Sequence, residues 1–363
     1  MGHTNQRLSG SAAPTCIEIC AGGGGQALGL ERAGFAHTAL VELDCDAVAT
    51  LRVNRPGWNV LSTDVRGVSA SDLHASGHSV GLLAAGVPCP PFSLAGKQLG
   101  AADERDLFPA VLNLVATLQP KTVMIENVKG ILQAKFASYR ADVLGELWAQ
   151  GYWTSWRLLR ACDYGVPQLR PRAVLVAVQR NRASQFRWPE PTACPKTAPG
   201  VGSVLYESMA SGGWELARQW ADHASRIAPT LCGGSRKHGG ADLGPSRARH
   251  AWAQLGVNGS SVADEPPQPG TLLPVRLTIA QMALLQGFPA DWKFSGGKTS
   301  AYRQIGNAFP PPVAEAVGRS LADVLAQDGA PAGYRIPHVD STGNAPSGSS
   351  PRPSSSRRPG VTA

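Results

Sequence analysis

Residues 15–30 read TCIEICAGGGGQALGL, five alternating or apolar positions, four consecutive glycines, then an apolar helical pattern. The first part has the composition of a buried strand, and GQALGLERAGF after it has the period of a helix closed at Gly34. A strand delivered through glycines onto a helix N-terminus is the opening unit of a doubly wound α/β fold. It satisfies G-x-G-x-x-A through Gly22, Gly24 and Ala27. Glycines there let the backbone approach a ligand, and the helix N-terminus favours an anionic group.

The rhythm continues outward from that stretch. HTALVEL is a second strand, and DAVATLRVN a helix stopped by Arg55-Pro56. VGLLAAG is a strand, LFPAVLNLVATLQP an amphipathic helix ended by Pro120, and KTVMIENV another buried strand. WTSWRLLRA and RAVLVAVQR complete the pattern as an antiparallel pair at the sheet edge. The expected fold is α/β, a Rossmann-like, mostly parallel sheet with helices on both faces. Residues 1–13 are a flexible arm and 14–179 the catalytic, cofactor-binding domain. The rhythm fails across 180–275, rich in Gly, Pro, Ser and Trp, which is expected to be a smaller, loop-rich domain. Helical pattern returns over 276–330, in LTIAQMALLQGF and PPVAEAVGRSLADVLAQ, as a return to the first domain. The tail, 336–363, is low in complexity and expected to be disordered.

Composition bounds the function. The net charge is +8 with pI about 9.3, favouring a polyanionic partner. The seven cysteines are scattered without a C-x-x-C pair, which excludes a disulfide framework and a zinc cluster and fits a reduced, cytoplasmic protein. No apolar run long enough for a membrane span occurs, and the N-terminus lacks the apolar core of a signal peptide.

Glu42 closes the second strand, where an acidic group accepts from both ribose hydroxyls, and Asp64 in STDV is placed to accept from an adenine amino group. These features define an adenosine ligand, with NAD and S-adenosylmethionine equally compatible. The chemistry end separates them. GVPCPPFS, residues 86–93, follows one strand, and IENV, with Glu126, ends the next. Strand C-termini of one parallel sheet line one crevice, so Cys89 and Glu126 should converge near the glycine loop. A thiol and a carboxylic acid facing one pocket suit nucleophilic catalysis with acid assistance. Pro88 and Pro90 fix the backbone on either side of Cys89 and so aim its thiol.

Together GVPCPPFS, IENV, the glycine loop, VELD, TDV, DERDLF, DYGVPQLRPR, RLTIAQMALLQGFP and YRQIGNAFPPPVAEAV resemble the DNA (cytosine-5)-methyltransferase family of bacterial restriction-modification type, in the family's order from about Thr15 to Val317. The resemblance implies a flipped-out cytosine in duplex DNA, S-adenosylmethionine as methyl donor, and a covalent adduct of Cys89 with C6 of the base. It implies that Glu126 holds the base at N3 and that Arg172 contacts it. Gln168 and Arg170 fall in the same motif, and Asn127 braces the catalytic loop. The cofactor set it implies is Cys20, Ala21, Gly22, Gly24, Gly25, Glu42, Leu43, Asp64, Val65, Pro88, Leu107 and Asn307. The 180–275 region occupies the family's target-recognition position. Ser93, Arg236, Lys237, Arg247 and Arg249 are the expected DNA contacts, the arginines able to read guanine O6 and N7 from glycine-rich loops.

Trp188, Trp214, Trp220 and Trp252 are read as local core. Four positions depart from the pattern: Cys20 for a usual phenylalanine, Glu18 for aspartate, Pro90 for glutamine and Phe309 for valine. None removes a reacting group. A monomer acting on double-stranded DNA, with a cognate endonuclease acting separately and no metal, is expected. A tRNA methyltransferase of the same fold, a non-catalytic DNA-binding relative and a nicotinamide oxidoreductase are the competing readings. The last explains the glycines but not PCPPFS with IENV.

Overall fold

The computed structural model describes residues 13–73, 79–88, 106–234 and 240–326. Cys89, Ser93, Arg236 and Lys237, together with the expected tail and nearly all of the arm, lie outside them.

Seven strands form one sheet in the order β3-β2-β1-β4-β5-β7-β6. They are β1 (Thr15–Ile19), β2 (Ala36–Glu42), β3 (Val60–Ser62), β4 (Leu82–Gly86), β5 (Thr122–Val128), β6 (Tyr152–Arg160) and β7 (Pro171–Gln179). The first five are parallel, and β7 runs antiparallel to both β5 and β6. The sequence pattern therefore places the edge pair correctly, with β6 outermost. The chain winds from β1 toward β3 in one direction and restarts at β4 on the other side of β1. That reversal opens a crevice between the C-terminal ends of β1 and β4, where open α/β sheets bind ligands.

Alternation along the strands sorts the core onto two faces. Ile17, Ile19, Leu83, Ala85, Val123 and Ile125 pack toward α4 (Phe108–Leu118) and α5 (Ala137–Ala149). Cys16, Leu82, Ala84, Met124, Val174 and Val176 pack toward α11 (Pro311–Ala326), with Leu30 of α1 (Gly25–Arg32) in the same cluster. The α1–α11 contact is nearly backbone to backbone. A Cβ on Gly29 would lie 2.4 Å from the Pro311 carbonyl oxygen and 2.5 Å from Ala314 Cβ, and one on Gly25 2.3 Å from the Phe309 carbonyl oxygen. Gly25 and Gly29, outside the G-x-G-x-x-A positions, are thus demanded by packing.

Among its described residues the 180–275 span contains α-helices that its composition conceals: α6 (Val201–Ala210), α7 (Ala217–His223) and α8 (Ser246–Ala253). Gly202, which reads as a breaker, is a contact residue, because a Cβ there would stand 1.9 Å from the Ala221 carbonyl oxygen of α7. Nor does this span build a core of its own. Val201, Leu205, Trp214, Trp220 and Trp252 share one cluster with Met282 of α9 (Ile279–Leu285), Tyr302 and Ile305 of α10 (Lys298–Asn307), and Leu28 of α1. Trp188, by contrast, packs with Phe186 against the core under the sheet. Helix α5, between IENV and β6, is also absent from the sequence reading.

Gly29→Ala is expected to cost about 3 kcal/mol through overpacking against α11. Gly145→Ala, in α5 with open space at its Cβ position, is expected to gain about 0.5–1 kcal/mol from helix propensity. Urea unfolding of the two variants checks both signs.

Candidate active site

At the β1 end of the crevice the chain turns through positive φ at Cys20 (57°), Gly22 (56°) and Gly24 (86°). Gly24 caps α1, its Cβ position closed off by Trp292 at 2.8 Å, while at Gly22 nothing lies within 4 Å. The open side of the turn is therefore the Gly22 side. The Gly22 amide donates to Glu42 Oε2 at 2.7 Å, and Glu42 Oε1 accepts from the amides of Leu43 (2.9 Å) and Asp44 (2.7 Å). Three backbone donors thus fix this carboxylate, which has lone-pair capacity for one more partner. Leu43 beside it is 64% exposed, an apolar surface unusual for a leucine next to a buried strand. Asp44 caps α2 (Cys45–Asn54) through its Oδ1.

Asp64, expected at an adenine amino group, has a protein partner as well. Its carboxylate faces the Arg66 guanidinium, with Oδ2 2.5 Å from Nη2, and that side-chain hydrogen bond holds its pKa below the usual carboxylate range. Val65 next to it is buried. Cys20 packs against the sheet core, and burial pushes its thiol pKa well up. Glu18 lies beneath α1 rather than in the crevice, 3.4 Å from His37 Nε2, with its pKa raised by burial.

At the other end, the β4–β5 register pairs Gly86 with Glu126, and Gly86 approaches the Cys20 carbonyl oxygen, which a Cβ would meet at 3.1 Å. Pro88, half-buried, is the last described residue before Cys89. Antiparallel pairing of β5 with β7 sets Arg172 opposite Val128 and so diagonal to Glu126 on the same face. Arg172 Nε lies 2.8 Å from Glu126 Oε1, and Arg172 Nη1 donates to the Pro171 carbonyl at 2.9 Å. The ion contact is close, but the Nε–H is not aimed at the oxygen. Glu126 is 4% exposed and Arg172 8%. Burial raises the Glu126 pKa, and the charges of Arg172 and Arg170 pull the other way.

Asn127 is fully buried, with Oδ1 accepting from the Val128 amide at 2.8 Å and Nδ2 without a partner. Leu107 stands at the α4 N-terminus against the core, and the adjacent Asp106 Oδ2 accepts from the Tyr139 hydroxyl at 2.7 Å.

Gln168 and Arg170, expected among the catalytic set, are placed otherwise. Both are fully buried and spend their hydrogen bonds on the protein. Arg170 donates to the carbonyls of Leu231, Gly306 and Ala308, each at 2.7 Å. Gln168 accepts from the Leu231 amide at 2.9 Å and donates to Gln286 Oε1 at 2.8 Å. Their side chains thus tie distant segments of the chain together. Asn307 is exposed at the end of α10, and its Nδ2 donates to the Gly234 carbonyl at 3.2 Å.

Arg247 and Arg249, expected on glycine-rich loops, are both exposed on α8. Two residues apart on a helix, they point to different sides of it.

Several groups that hold the crevice escaped the sequence reading. Trp292 Nε1 donates to the Gly23 carbonyl at 3.1 Å, and Arg303 pairs with Asp44 at 3.0 Å. Thr50 Oγ1 donates to Gln304 Oε1 at 2.7 Å. All three join the first βα units to residues after 290, across separations that no local pattern encodes. Arg303 and Gln304 do lie inside YRQIGN, so a motif was their one signal.

The geometry defines an α/β enzyme with a ligand cradle at the β1 end of a switch-point crevice and a buried acid–base pair at the β5 end. Comparison with known proteins makes this specific. The family model for C-5 cytosine-specific DNA methylase matches residues 14–323. The type II methyltransferase M.NaeI of Lentzea aerocolonigenes is 55% identical over 317 residues, covering 86% of this chain and 76% of that protein. M.NgoMIV of Neisseria gonorrhoeae is 47% identical over 318 residues, covering 86% of this chain and 99% of the relative. Among solved structures, the Entamoeba histolytica methyltransferase EhMeth superposes with a TM-score of 0.60 at 15% identity, covering 87% of this chain and 99% of its own. The chain belongs to the C-5 cytosine-specific DNA methylase family. It is a DNA cytosine-C5 methyltransferase.

Glu126→Gln is expected to lower methyl transfer by about 100-fold or more, the contribution of a positioned acid, with DNA affinity little changed. Because burial raises the folded-state pKa above the unfolded one, Glu126 contributes stability below the ordinary carboxylate range and loses that contribution as pH rises through the raised value. The stability difference between wild type and Glu126→Gln should therefore shift against the wild type as pH increases, which urea titrations from pH 4 to 8 would record.

Proposed function

We propose that this chain is the modification enzyme of a type II restriction-modification pair, transferring a methyl group from S-adenosylmethionine to C5 of a cytosine flipped out of duplex DNA. The observation that carries the residue-level reading is the buried Glu126–Arg172 pair, set by register beside Gly86 and the segment that leads into Cys89.

The residues around Gly22 fit the cofactor. The open side of the turn admits a ligand, the spare capacity of Glu42 suits ribose hydroxyls, and exposed Leu43 offers an adenine face. Asp64 would receive the adenine amino group only through whatever capacity its Arg66 contact leaves. Asn307 would close the cradle from α10. When bound, S-adenosylmethionine supplies a methyl group on an electron-poor sulfur.

Cytosine C5 is a weak nucleophile until aromaticity is broken. The Cys89 thiolate adds to C6, and the electron pair of the C5–C6 double bond moves toward C5 and the N3 side of the ring. Glu126, kept protonated to higher pH than an ordinary carboxyl, donates at N3 and offsets the charge developing there. Arg172 holds Glu126 and places its own cation beside the base. After C5 is methylated, the N3 proton returns to Glu126, the C5 proton is lost to base, the C5–C6 double bond re-forms, and Cys89 leaves as thiolate. Asn127, with its unpartnered Nδ2, would brace the segment before this thiol.

The +8 charge supports a polyanionic substrate, and Arg236, Lys237, Arg247 and Arg249 remain the proposed DNA contacts, the last two from α8. A soluble monomer in the cytoplasm, with its endonuclease a separate chain, fits this reading. Among the described residues, no helix is long and apolar enough to cross a membrane.

Cys89→Ser is expected to abolish transfer of labelled methyl to duplex DNA while S-adenosylmethionine binding stays near wild type. DNA carrying 5-fluorocytosine at the target should trap wild-type protein covalently, because C5 then has no proton to lose. Offering tRNA beside DNA in the same assay decides the substrate, and turnover on tRNA alone would overturn the DNA assignment.

A further inference from the structure

Beneath the crevice five hydrogen bonds close on themselves. The Leu231 amide donates to Gln168 Oε1 (2.9 Å), and Gln168 Nε2 donates to Gln286 Oε1 (2.8 Å). Gln286 Nε2 donates to the Ala308 carbonyl (2.7 Å), which also accepts from Arg170 Nη2 (2.7 Å). Arg170 Nη1 then donates back to the Leu231 carbonyl (2.7 Å). Gln168, Arg170 and Gln286 are all fully buried. The ring is built from three distant parts of the chain: the entry to β7, the Leu231 segment, and the region from α9 to α10.

A buried polar ring of this kind is costly unless every member is paired, and when paired it admits one arrangement. The Gln286 amide does something packing does not, which is to fix the Leu231 backbone against the end of α10. Two further contacts show how tightly that fit is drawn. A Cβ on Gly306 would lie 2.3 Å from the Gly233 nitrogen, and one on Gly233 2.7 Å from Asn307 Oδ1. The chain from Leu231 to Gly234 therefore lies on the end of α10 with no slack. Arg170 belongs to this ring and its charge also acts on Glu126. The segment that carries Arg170 into the ring leads directly into β7, which carries Arg172 to Glu126 two residues later.

We propose that Gln286 is a positioning residue for target choice. Through the ring it sets the Leu231–Gly234 segment, where the recognition span meets the cofactor end, in register with Arg172 and Glu126. Only a cytosine presented in the right context then reaches the acid in reacting geometry. Losing Gln286 would leave Gln168 its bond to the Leu285 carbonyl (3.2 Å) and leave Ala308 its bond to Arg170. The fold persists and the register loosens. The inference rests on the DNA methyltransferase reading above and adds to it a determinant of specificity outside the candidate DNA contacts.

Three variants test it on whole protein, with DNA from a methylation-free host as substrate and bisulfite sequencing as readout. Gln286→Leu is expected to raise methylation outside the wild-type context, relative to within it, by about 10-fold or more, the scale of a small misplacement at a reacting centre. Gln286→Glu supplies the reporter. Neutral, its carboxyl accepts from Gln168 and donates to the Ala308 carbonyl, restoring the ring; ionised, it repels that carbonyl. Its context ratio, divided by that of wild type at each pH, should approach one as pH falls from 8.5 to 6, and Gln286→Leu should show no such recovery. Leu321→Ala, in the α11 core, matches the stability loss without touching the ring and should keep the wild-type context. An unchanged ratio in Gln286→Leu, or a Leu321→Ala ratio that rises equally, overturns the proposal. Wild-type enzyme that methylates no cytosine overturns the functional reading and the proposal with it.

Discussion

The approach of two backbones, α1 to the start of α11, is the constraint on which the rest of the molecule depends. Gly25 and Gly29 have no side chains, so the Phe309 and Pro311 carbonyls come within contact of the α1 helix itself. That contact holds α11 on the sheet and delivers the residues just before it to the glycine turn. Trp292 then reaches the Gly23 carbonyl, Arg303 reaches Asp44, and Gln304 reaches Thr50. The cradle is thus built by both ends of the described chain, and its walls are as far apart in sequence as the chain allows.

Charge is distributed along the crevice to suit two tasks. At the β1 end a carboxylate is satisfied by backbone amides and presents its spare capacity outward. At the β5 end burial drives a carboxyl toward its neutral form, and two arginines hold that tendency in check. Glu42 and Glu126 are the same functional group in opposite environments, and the difference follows from strand position. Glu42 ends β2 beside exposed turns, whereas Glu126 is flanked by β4 and β7.

Much of this was legible in the residues. Period and turn chemistry place all the long strands and the antiparallel edge pair, because those signals are local. The Glu126–Arg172 pair was approachable through two motifs whose strands had to be neighbours. What was not legible is what depends on closeness of distant segments. Gly202 signals a loop by composition and turns out to seat α6 on α7. Arg170 falls in the motif of the base-contacting Arg172 and binds three carbonyls, because burial, which no motif states, decides whether a guanidinium faces substrate or protein. The arginines of α8 were read as loop residues since a short helix with serine and histidine carries little apolar period.

The α1–α11 contact also has a bearing on how the enzyme is made. A chain leaving the ribosome exposes its glycine turn early, but the carbonyls that lock α1, and the tryptophan and arginine that fasten the turn and the α2 cap, are translated near the end of the described chain. The first βα units can form beforehand, since their contacts are local, yet the cradle remains unfinished until the last helix docks. A truncated or stalled product would then hold strands but no completed cofactor seat. The seat is accordingly completed in one step, when α11 docks on α1, and not by degrees as the first βα units form.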